Sequence, residues 1–213
     1  MKQLIIFATG NKGKIREIRD IITDPDTEVL SMREAGVAAD PDENGTTFEE
    51  NALIKCRAVR ELICQKIEDG SFAVNTEDAQ ITVMSDDSGL VIDALGGEPG
   101  VHSARYGGVA HDSERNIDKV LRLMDGMPME QRTAHFRTAI CLMMDGDTHL
   151  FEGRVDGHIL TERHGKGGFG YDSIFRPCEG DGRTFAQMTG EEKNAISHRG
   201  RAVARLVAYL LKR

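Results

Sequence analysis

The chain has no long apolar run near its start, no basic excess and no closely spaced cysteine pair, and each shortage removes a class of protein. The first apolar stretch, Leu4 to Thr9, is only six largely apolar residues. That is too short for a signal peptide or a membrane span, and no membrane partner is expected. Lysine and arginine total 27 against 35 aspartates and glutamates, giving a net charge of −8 and a pI near 5.4. A general nucleic-acid binder has the opposite footprint, so no nucleic-acid partner is expected. Basic residues gathered in one cleft can still serve an anionic small molecule. The four cysteines, Cys56, Cys64, Cys141 and Cys178, contain no C-x-x-C pair, which removes the usual zinc and redox spacings. Cys56 and Cys64 fall in an expected helix and read as small core residues; the pattern suits a reducing, cytoplasmic protein. Tryptophan is absent, as are H-E-x-x-H, any Cys/His cluster and G-x-S-x-G. Zinc-protease and serine-hydrolase signatures are therefore missing. His102, His111, His135, His149, His158 and His164 read as surface or structural. No internal repeat or low-complexity tract is present.

What remains is an alternation of strands and helices long enough to bury roughly 70% of its unfolded surface. Gln3 to Ala8 reads as a buried strand, broken by Thr9-Gly10-Asn11. A helix follows over Lys14 to Ile22, with Ile15, Ile18, Ile21 and Ile22 at helical spacing. A short strand is expected at Glu28 to Ser31. Thr47-x-x-Glu50 is a capping box opening a helix that places Phe48, Ala52, Val59, Leu62, Ile63 and Ile67 on one face. Glu68 to Asp78 is polar and reads as a loop. Ile81 to Met84 is a strand delivering Asp86-Asp87, and a second apolar run, Leu90 to Leu95, ends at Gly96-Gly97-Glu98-Pro99-Gly100. Ser113 to Met124 reads as a helix. Thr133 to Met144 and Thr148 to Leu160 read as long strands about the hairpin signal Asp145-Gly146. A glycine loop at Gly165 to Gly170, a strand at Ser173 to Phe175 and a closing helix from Ala195 to Lys212, with Val203, Leu206, Val207, Leu210 and Leu211 inward, complete one α/β protein.

Asp86 and Asp87 are the most informative residues. Neighbours in a strand point to opposite faces, so one carboxylate must enter the fold or a cleft. There it needs a metal, a proton or a strong hydrogen-bond partner. The competing reading is a solvated strand end, because Asp, Ser and Gly all favour turns. Thr9-Gly10-Asn11-Lys12-Gly13-Lys14, between a strand and a helix, offers small residues, a helix N-terminus and lysines to a phosphate; a plain turn with solvated lysines is the alternative. It is not a Walker A loop. Glu43 precedes the capped helix and Lys55 lies within it; alone they read as a capping charge and a solvated helix lysine. Gly165-Lys166-Gly167-Gly168-Phe169-Gly170 matches G-x-G-x-x-G, but strand rather than helix follows, so the dinucleotide fingerprint is rejected. Either Phe169 and Tyr171 stack on a base or they are core aromatics beside a turn. Lys193, Ser197, His198 and Arg199 cluster around the start of the last helix, where cations oppose the dipole unless an anionic or hydrogen-bonding ligand is present.

Taken in order, Thr9–Lys14, Thr47–Lys55, Ser85–Leu90, Gly96–Gly100, Ser103–Gly107, Gly168–Asp172 and Glu192–Gly200 resemble the Ham1/RdgB-type pyrophosphatases, the inosine triphosphatase or dITP/XTP diphosphatase family. The resemblance covers residues from about 5 to 205. It implies a single ITPase-like α/β domain over 1–213, an elongated long mixed β-sheet flanked by helices, with two lobes around a central substrate cleft. It also implies a homodimer and Mg²⁺-dependent hydrolysis of ITP, dITP and XTP to monophosphate and pyrophosphate. By motif position Asp87 is similar to the carboxylate that binds metal and activates water, with Asp86 as second contributor. Glu43 is similar to the other metal carboxylate. Thr9, Gly10, Asn11, Lys12, Gly13, Lys14 and Lys55 match phosphate contacts, and Ser88 a further substrate contact. Phe169, Gly170, Tyr171, Asp172, Lys193, His198 and Arg199 match the base pocket. Ser173 stands where the family usually has proline, Asn194 where a small residue is usual, and 68–80 is longer and more polar than typical, which suggests an external loop. A pyrophosphatase of other modified nucleotides and a nucleotide sensor without turnover are the alternatives.

Overall fold

The computed structural model describes residues 2–75 and 78–212. Six strands form one mixed sheet in the order β2-β1-β3-β4-β5-β6. They are β1 (Lys2–Phe7), β2 (Thr27–Ser31), β3 (Ala79–Ile92), β4 (Thr133–Met144), β5 (Asp147–Ile159) and β6 (Phe175–Pro177). The helices are α1 (Lys12–Ile21), α2 (Phe48–Glu68), α3 (Ser113–Leu123), α4 (Gly190–Ile196) and α5 (His198–Leu210). The chain divides into two compact units. The first comprises Met1–Asp87, Ala139–Phe151 and Val203–Arg213; the second comprises Ser88–Thr138 and Glu152–Ala202.

In the first unit β1 pairs parallel with both β2 and β3. The β1–β3 register ends at Phe7 opposite Met84, and Ala8 N–H donates to the Met84 carbonyl (2.7 Å). β1-α1-β2 and β2-α2-β3 run to opposite sides of β1. The carboxyl end of β1 is thus a topological switch point, where open α/β sheets present their ligand sites. The core there joins Ile6, Ala8, Val37, Ala52, Cys56, Val59, Ile63, Val83, Cys141 and Met143. In the second unit a separate core gathers Leu90, Ile92, Ile117, Val120, Phe136, Val155, Ile159, Tyr171, Phe175 and Phe185. Of its three phenylalanines, Phe136 and Phe175 pack edge-on with centroids 4.7 Å apart, Phe175 and Phe185 are tilted, and Phe136 and Phe185 are stacked.

Several expectations hold. The Thr47–Glu50 capping box forms with both reciprocal bonds. Asp145 and Gly146 take φ of 54° and 88°, the paired positive values that two-residue hairpins require, and β4 and β5 flank them. Others need correction. β3 does not stop before Asp86: it is one strand of 14 residues through Asp86-Asp87-Ser88-Gly89 and on to Ile92. α2 continues to Glu68, so its loop begins later; Thr76 and Glu77 of that loop lie outside the described residues. Ile67 is half-exposed and Cys64 exposed, whereas Cys56 is in the core. Ser173 and Ile174 belong to a turn, and the strand starts only at Phe175.

The expected closing helix is two helices. Thr189 and Glu192 form a further capping box that starts α4, a T-x-x-E signal that the apolar pattern of the last helix overshadows. Ser197 is extended (φ −70°, ψ 158°), and its Oγ accepts from Gly200 N–H (3.0 Å), which restarts the helix. A Cβ on Gly200 would strike the Asn194 carbonyl, so the tight junction requires glycine there. Helix α5 ends at Leu210, and Leu211 is exposed rather than inward. Among the described residues no helix is long and apolar enough to cross a membrane.

Candidate active site

β3 carries Asp86 and Asp87 past the carboxyl end of β1, and the side chain of each meets a different helix. Both residues are buried, at 0% and 7% exposure, which removes the reading of a solvated turn. Asp86 Oδ1 accepts from Lys14 Nζ on α1 (2.9 Å). Asp87 Oδ2 accepts from Asn51 Nδ2 on α2 (3.1 Å), and its Oδ1 lies 3.5 Å from Lys55 Nζ. Separate helices supplying the partners follow from the alternation of side chains along a strand. Lys55 Nζ also holds Glu43 Oε2 at 2.9 Å, so Glu43 is more than a capping charge: one ammonium gathers two carboxylates. The capping role belongs to Glu50 instead.

The charges are mutually adjusted. Burial alone would pull the Lys55 ammonium down, but attraction to Asp87, Asp86 and Glu43 outweighs it and raises the pKa. Burial pushes the Asp87 carboxyl above its ordinary value. Lys55 and Lys14 oppose that push, Glu43 adds to it, and the Asn51 amide opposes it. Three carboxylates (Glu43, Asp86, Asp87) against two ammoniums (Lys14, Lys55) leave one negative charge in excess among these five groups. Among the described residues no three His, Cys, Asp or Glu side chains converge as a closed metal cage. Mg²⁺ does not need one, because it takes one or two carboxylates and completes its shell with water and phosphate oxygens. Glu43 and Asp87, already drawn to one cation and carrying excess negative charge, fit that demand.

The Thr9–Lys14 turn is placed at the switch point, yet much of its backbone is already used. Thr9 Oγ1 accepts from Asn11 N–H (3.2 Å), and Asn11 Oδ1 accepts from Gly13 and Lys14 N–H (2.9 and 3.2 Å). Asn11 is thus the N-cap of α1. Three amides counted on for a phosphate are self-capped, so the cationic side chains of this turn are Lys14, paired with Asp86, and the exposed Lys12. A Cβ on Gly10 would meet nothing within 4 Å, so open space surrounds it.

In the second unit a half-buried phenylalanine is ringed by buried cations. Lys193 Nζ lies 4.7 Å and Arg199 Cζ 5.7 Å from the Phe169 ring centre. Asp172 Oδ2 accepts from Lys193 Nζ (2.6 Å) and from Phe169 N–H (2.9 Å). Arg199 Nη2 donates to Ser88 Oγ (2.9 Å). Arg199, Lys193 and Asp172 are 1%, 4% and 3% exposed. The glycine loop explains itself here: a Cβ on Gly168 (φ +69°) would strike the Asp172 carboxylate, and Gly165 and Gly167 press on the Ala186 backbone. Lys193 lies inside α4, ahead of the last helix, and His198 and Arg199 open α5. His198 stacks on Phe136 (4.8 Å, 12°), and Gly153 lets α5 approach so closely that a Cβ there would strike the His198 carbonyl. Gly170 has φ of 60° and open space around it.

Tyr171 is placed differently from Phe169. It is a core residue at 4% exposure whose hydroxyl donates to the Ser103 carbonyl (2.8 Å). Burial raises the pKa of the phenol. Tyr171→Phe is expected to cost about 1 kcal/mol of stability and leave kcat/KM unchanged; a large rise in KM would restore it to the base pocket.

Asn51 is the member of this cluster that sequence reading missed. It is 1% exposed. The signal was present: a polar residue among inward positions of α2, four residues before Lys55 and on the same face.

The Ham1 family model matches residues 5–209. A dITP/XTP pyrophosphatase of Caldanaerobacter subterraneus subsp. tengcongensis is 44% identical over 209 residues, covering 98% of this chain and 96% of that one. A Bacillus subtilis protein of the same description is 44% identical over 207 residues, covering 97% and 96%. Among solved structures, a Ham1 protein of Staphylococcus aureus superposes with a TM-score of 0.79 at 37% identity and 98% coverage of both chains. One from Coxiella burnetii gives 0.80 at 35% identity, with both chains fully covered.

Proposed function

Because the chain belongs to the Ham1 family, we propose that it hydrolyses non-canonical purine nucleoside triphosphates (dITP, XTP and ITP) to the monophosphate and pyrophosphate, in a Mg²⁺-dependent reaction that clears them from the nucleotide pool. The observation that carries this reading is the Lys55 ammonium shared by Glu43 and Asp87 at the carboxyl end of β1. Phosphoanhydride hydrolysis asks for charge neutralisation and a positioned water more than for a covalent nucleophile, and the cluster supplies groups for both. Lys14 and Lys55 meet the triphosphate. Asp87, its proton affinity raised by burial, takes a proton from the water that attacks the α–β bridge region; Asp86 keeps Lys14 in place. Glu43 and Asp87 would hold Mg²⁺, which when bound neutralises phosphate charge and polarises the scissile bond.

The Phe169, Lys193 and Arg199 group of the second unit is assigned to the base. A 6-oxo purine offers an acceptor where adenine offers an amino donor. A buried N–H of Arg199 or Lys193 beyond those given to Ser88 and Asp172 would meet a second donor in adenine, at a cost of about 1–3 kcal/mol. Tyr171 is left out of this set. The reading extends to a cytoplasmic homodimer, for which light scattering should give twice the 23.5 kDa chain mass. The activity is tested by rates of pyrophosphate release from XTP, dITP, ITP, ATP and GTP with and without Mg²⁺. XTP, dITP or ITP should exceed ATP by at least about tenfold, and equal rates on ATP would contradict the specificity.

A further inference from the structure

Asn51 joins two pieces of the first unit that the proposed chemistry needs in register. Its Nδ2 donates to Asp87 Oδ2 (3.1 Å), while its Oδ1 accepts from Gly45 N–H (2.9 Å). Gly45 is two residues from Glu43, and Glu43 returns through Lys55 to the other oxygen of Asp87. The bonds close a ring: Asp87, Asn51, Gly45, the backbone to Glu43, Lys55 and back to Asp87. Both amide functions of Asn51 are consumed, one as donor and one as acceptor, so its orientation is fixed by its partners and cannot flip without breaking both bonds. Gly45 is matched to it, because a Cβ there would lie 2.7 Å from Asn51 Oδ1 and 2.7 Å from Glu50 Cβ. No side chain other than hydrogen fits while the bond is kept.

We infer that Asn51 is a positioning residue that sets the spacing and orientation of the Glu43 and Asp87 carboxylates, with Gly45 as its required seat. This rests on the proposed pyrophosphatase chemistry only for its kinetic readout. The amide fixes Oδ2 of Asp87 and ties the Glu43 loop to α2. Its loss removes the amide bond to Asp87 Oδ2 and the bond that ties Gly45 to α2. Groups of this kind, one bond removed from the reacting atoms, typically change metal affinity or turnover by about 10–100-fold.

The test compares the full-length wild type with Asn51→Ala, Asn51→Asp and Gly45→Ala. Steady-state kinetics on XTP with Mg²⁺ are combined with Mn²⁺ binding to the nucleotide-free protein by electron paramagnetic resonance, and all measurements are made well below each variant's melting temperature. Asn51→Ala should lower kcat by about 10–100-fold with KM changed by less than about threefold, and should weaken Mn²⁺ binding by about tenfold. Asn51→Asp keeps the acceptor for Gly45 but has no donor for Asp87, and should lose kcat to at least the same extent. Gly45→Ala should reproduce the kcat loss with Asn51 intact. A variant set that melts earlier but keeps wild-type kcat and Mn²⁺ affinity would reduce Asn51 to a structural role and overturn the inference. If the wild type turns over no triphosphate, the activity reading fails instead, and the Mn²⁺ comparison alone still decides the role of Asn51: unchanged affinity in Asn51→Ala overturns it.

Discussion

Asp87→Asn is expected to lower turnover by about 10²–10⁴-fold while leaving a folded protein that melts no lower than the wild type at neutral pH. The kinetic half follows from replacing the carboxylate assigned to the water's proton by an amide too weakly basic to take it, while the side-chain shape is kept. The stability half follows from burial, which raises the pKa of Asp87 above its ordinary 3.8 despite Lys55 and Lys14. An acid whose folded pKa is raised holds a proton that the unfolded chain has already released. Folding stability therefore falls as pH rises from 3.8 through the folded value, and the deficit persists above it. A neutral amide lacks that deficit, so any gain in the variant should appear at neutral pH and vanish below about pH 4. Thermal melts across pH, alongside XTP turnover, check both halves. Near-normal rates would show that another group takes the proton.

Lys55→Met should have the larger effect on stability. The side chain is 13% exposed and faces Glu43 and Asp87; removing one member of a buried ion pair costs about 3–5 kcal/mol because the partner charges remain. For a chain of this size that is a fall in Tm of about 6–20 °C. The cost should shrink in acid, because Asp87, whose pKa burial already raises, is neutralised there before an ordinary carboxylate. On the alkaline side the signs reverse. The raised pKa of Lys55 means its contribution is complete below 10.5 and is lost as pH climbs through the higher folded value. The wild type should therefore show an alkaline loss that Lys55→Met lacks. A variant with wild-type Tm at pH 7 would mean that the three carboxylates do not depend on this ammonium.

Much of this arrangement was legible from residues alone, and what was not has physical reasons. The Thr47–Glu50 box and the Asp145-Gly146 hairpin were readable because their signals are local: one reciprocal pair of bonds, one pair of positive φ angles. Asp86-Asp87-Ser88-Gly89 looked like the end of a strand because such residues usually bond their own backbone in turns. Here the carboxylates are taken by Lys14, Asn51 and Lys55 from distant segments, so no local turn can compete and β3 continues. Ser197 broke the last helix against its apolar spacing because α5 must meet Gly153 closely, a contact that periodicity does not encode. Tyr171 was grouped with Phe169 by proximity in sequence, but only Phe169 stays at the surface. Asn51 was hidden because one buried amide has no pattern until its two partners, 6 and 36 residues away, are brought to it.

The central claim is that this cluster directs water at the α–β bridge of a non-canonical purine triphosphate. Phosphorus NMR of the products from XTP and Mg²⁺ tests it most directly. The account predicts XMP and pyrophosphate in equal amounts, with no early orthophosphate. Release of XDP and orthophosphate would contradict it.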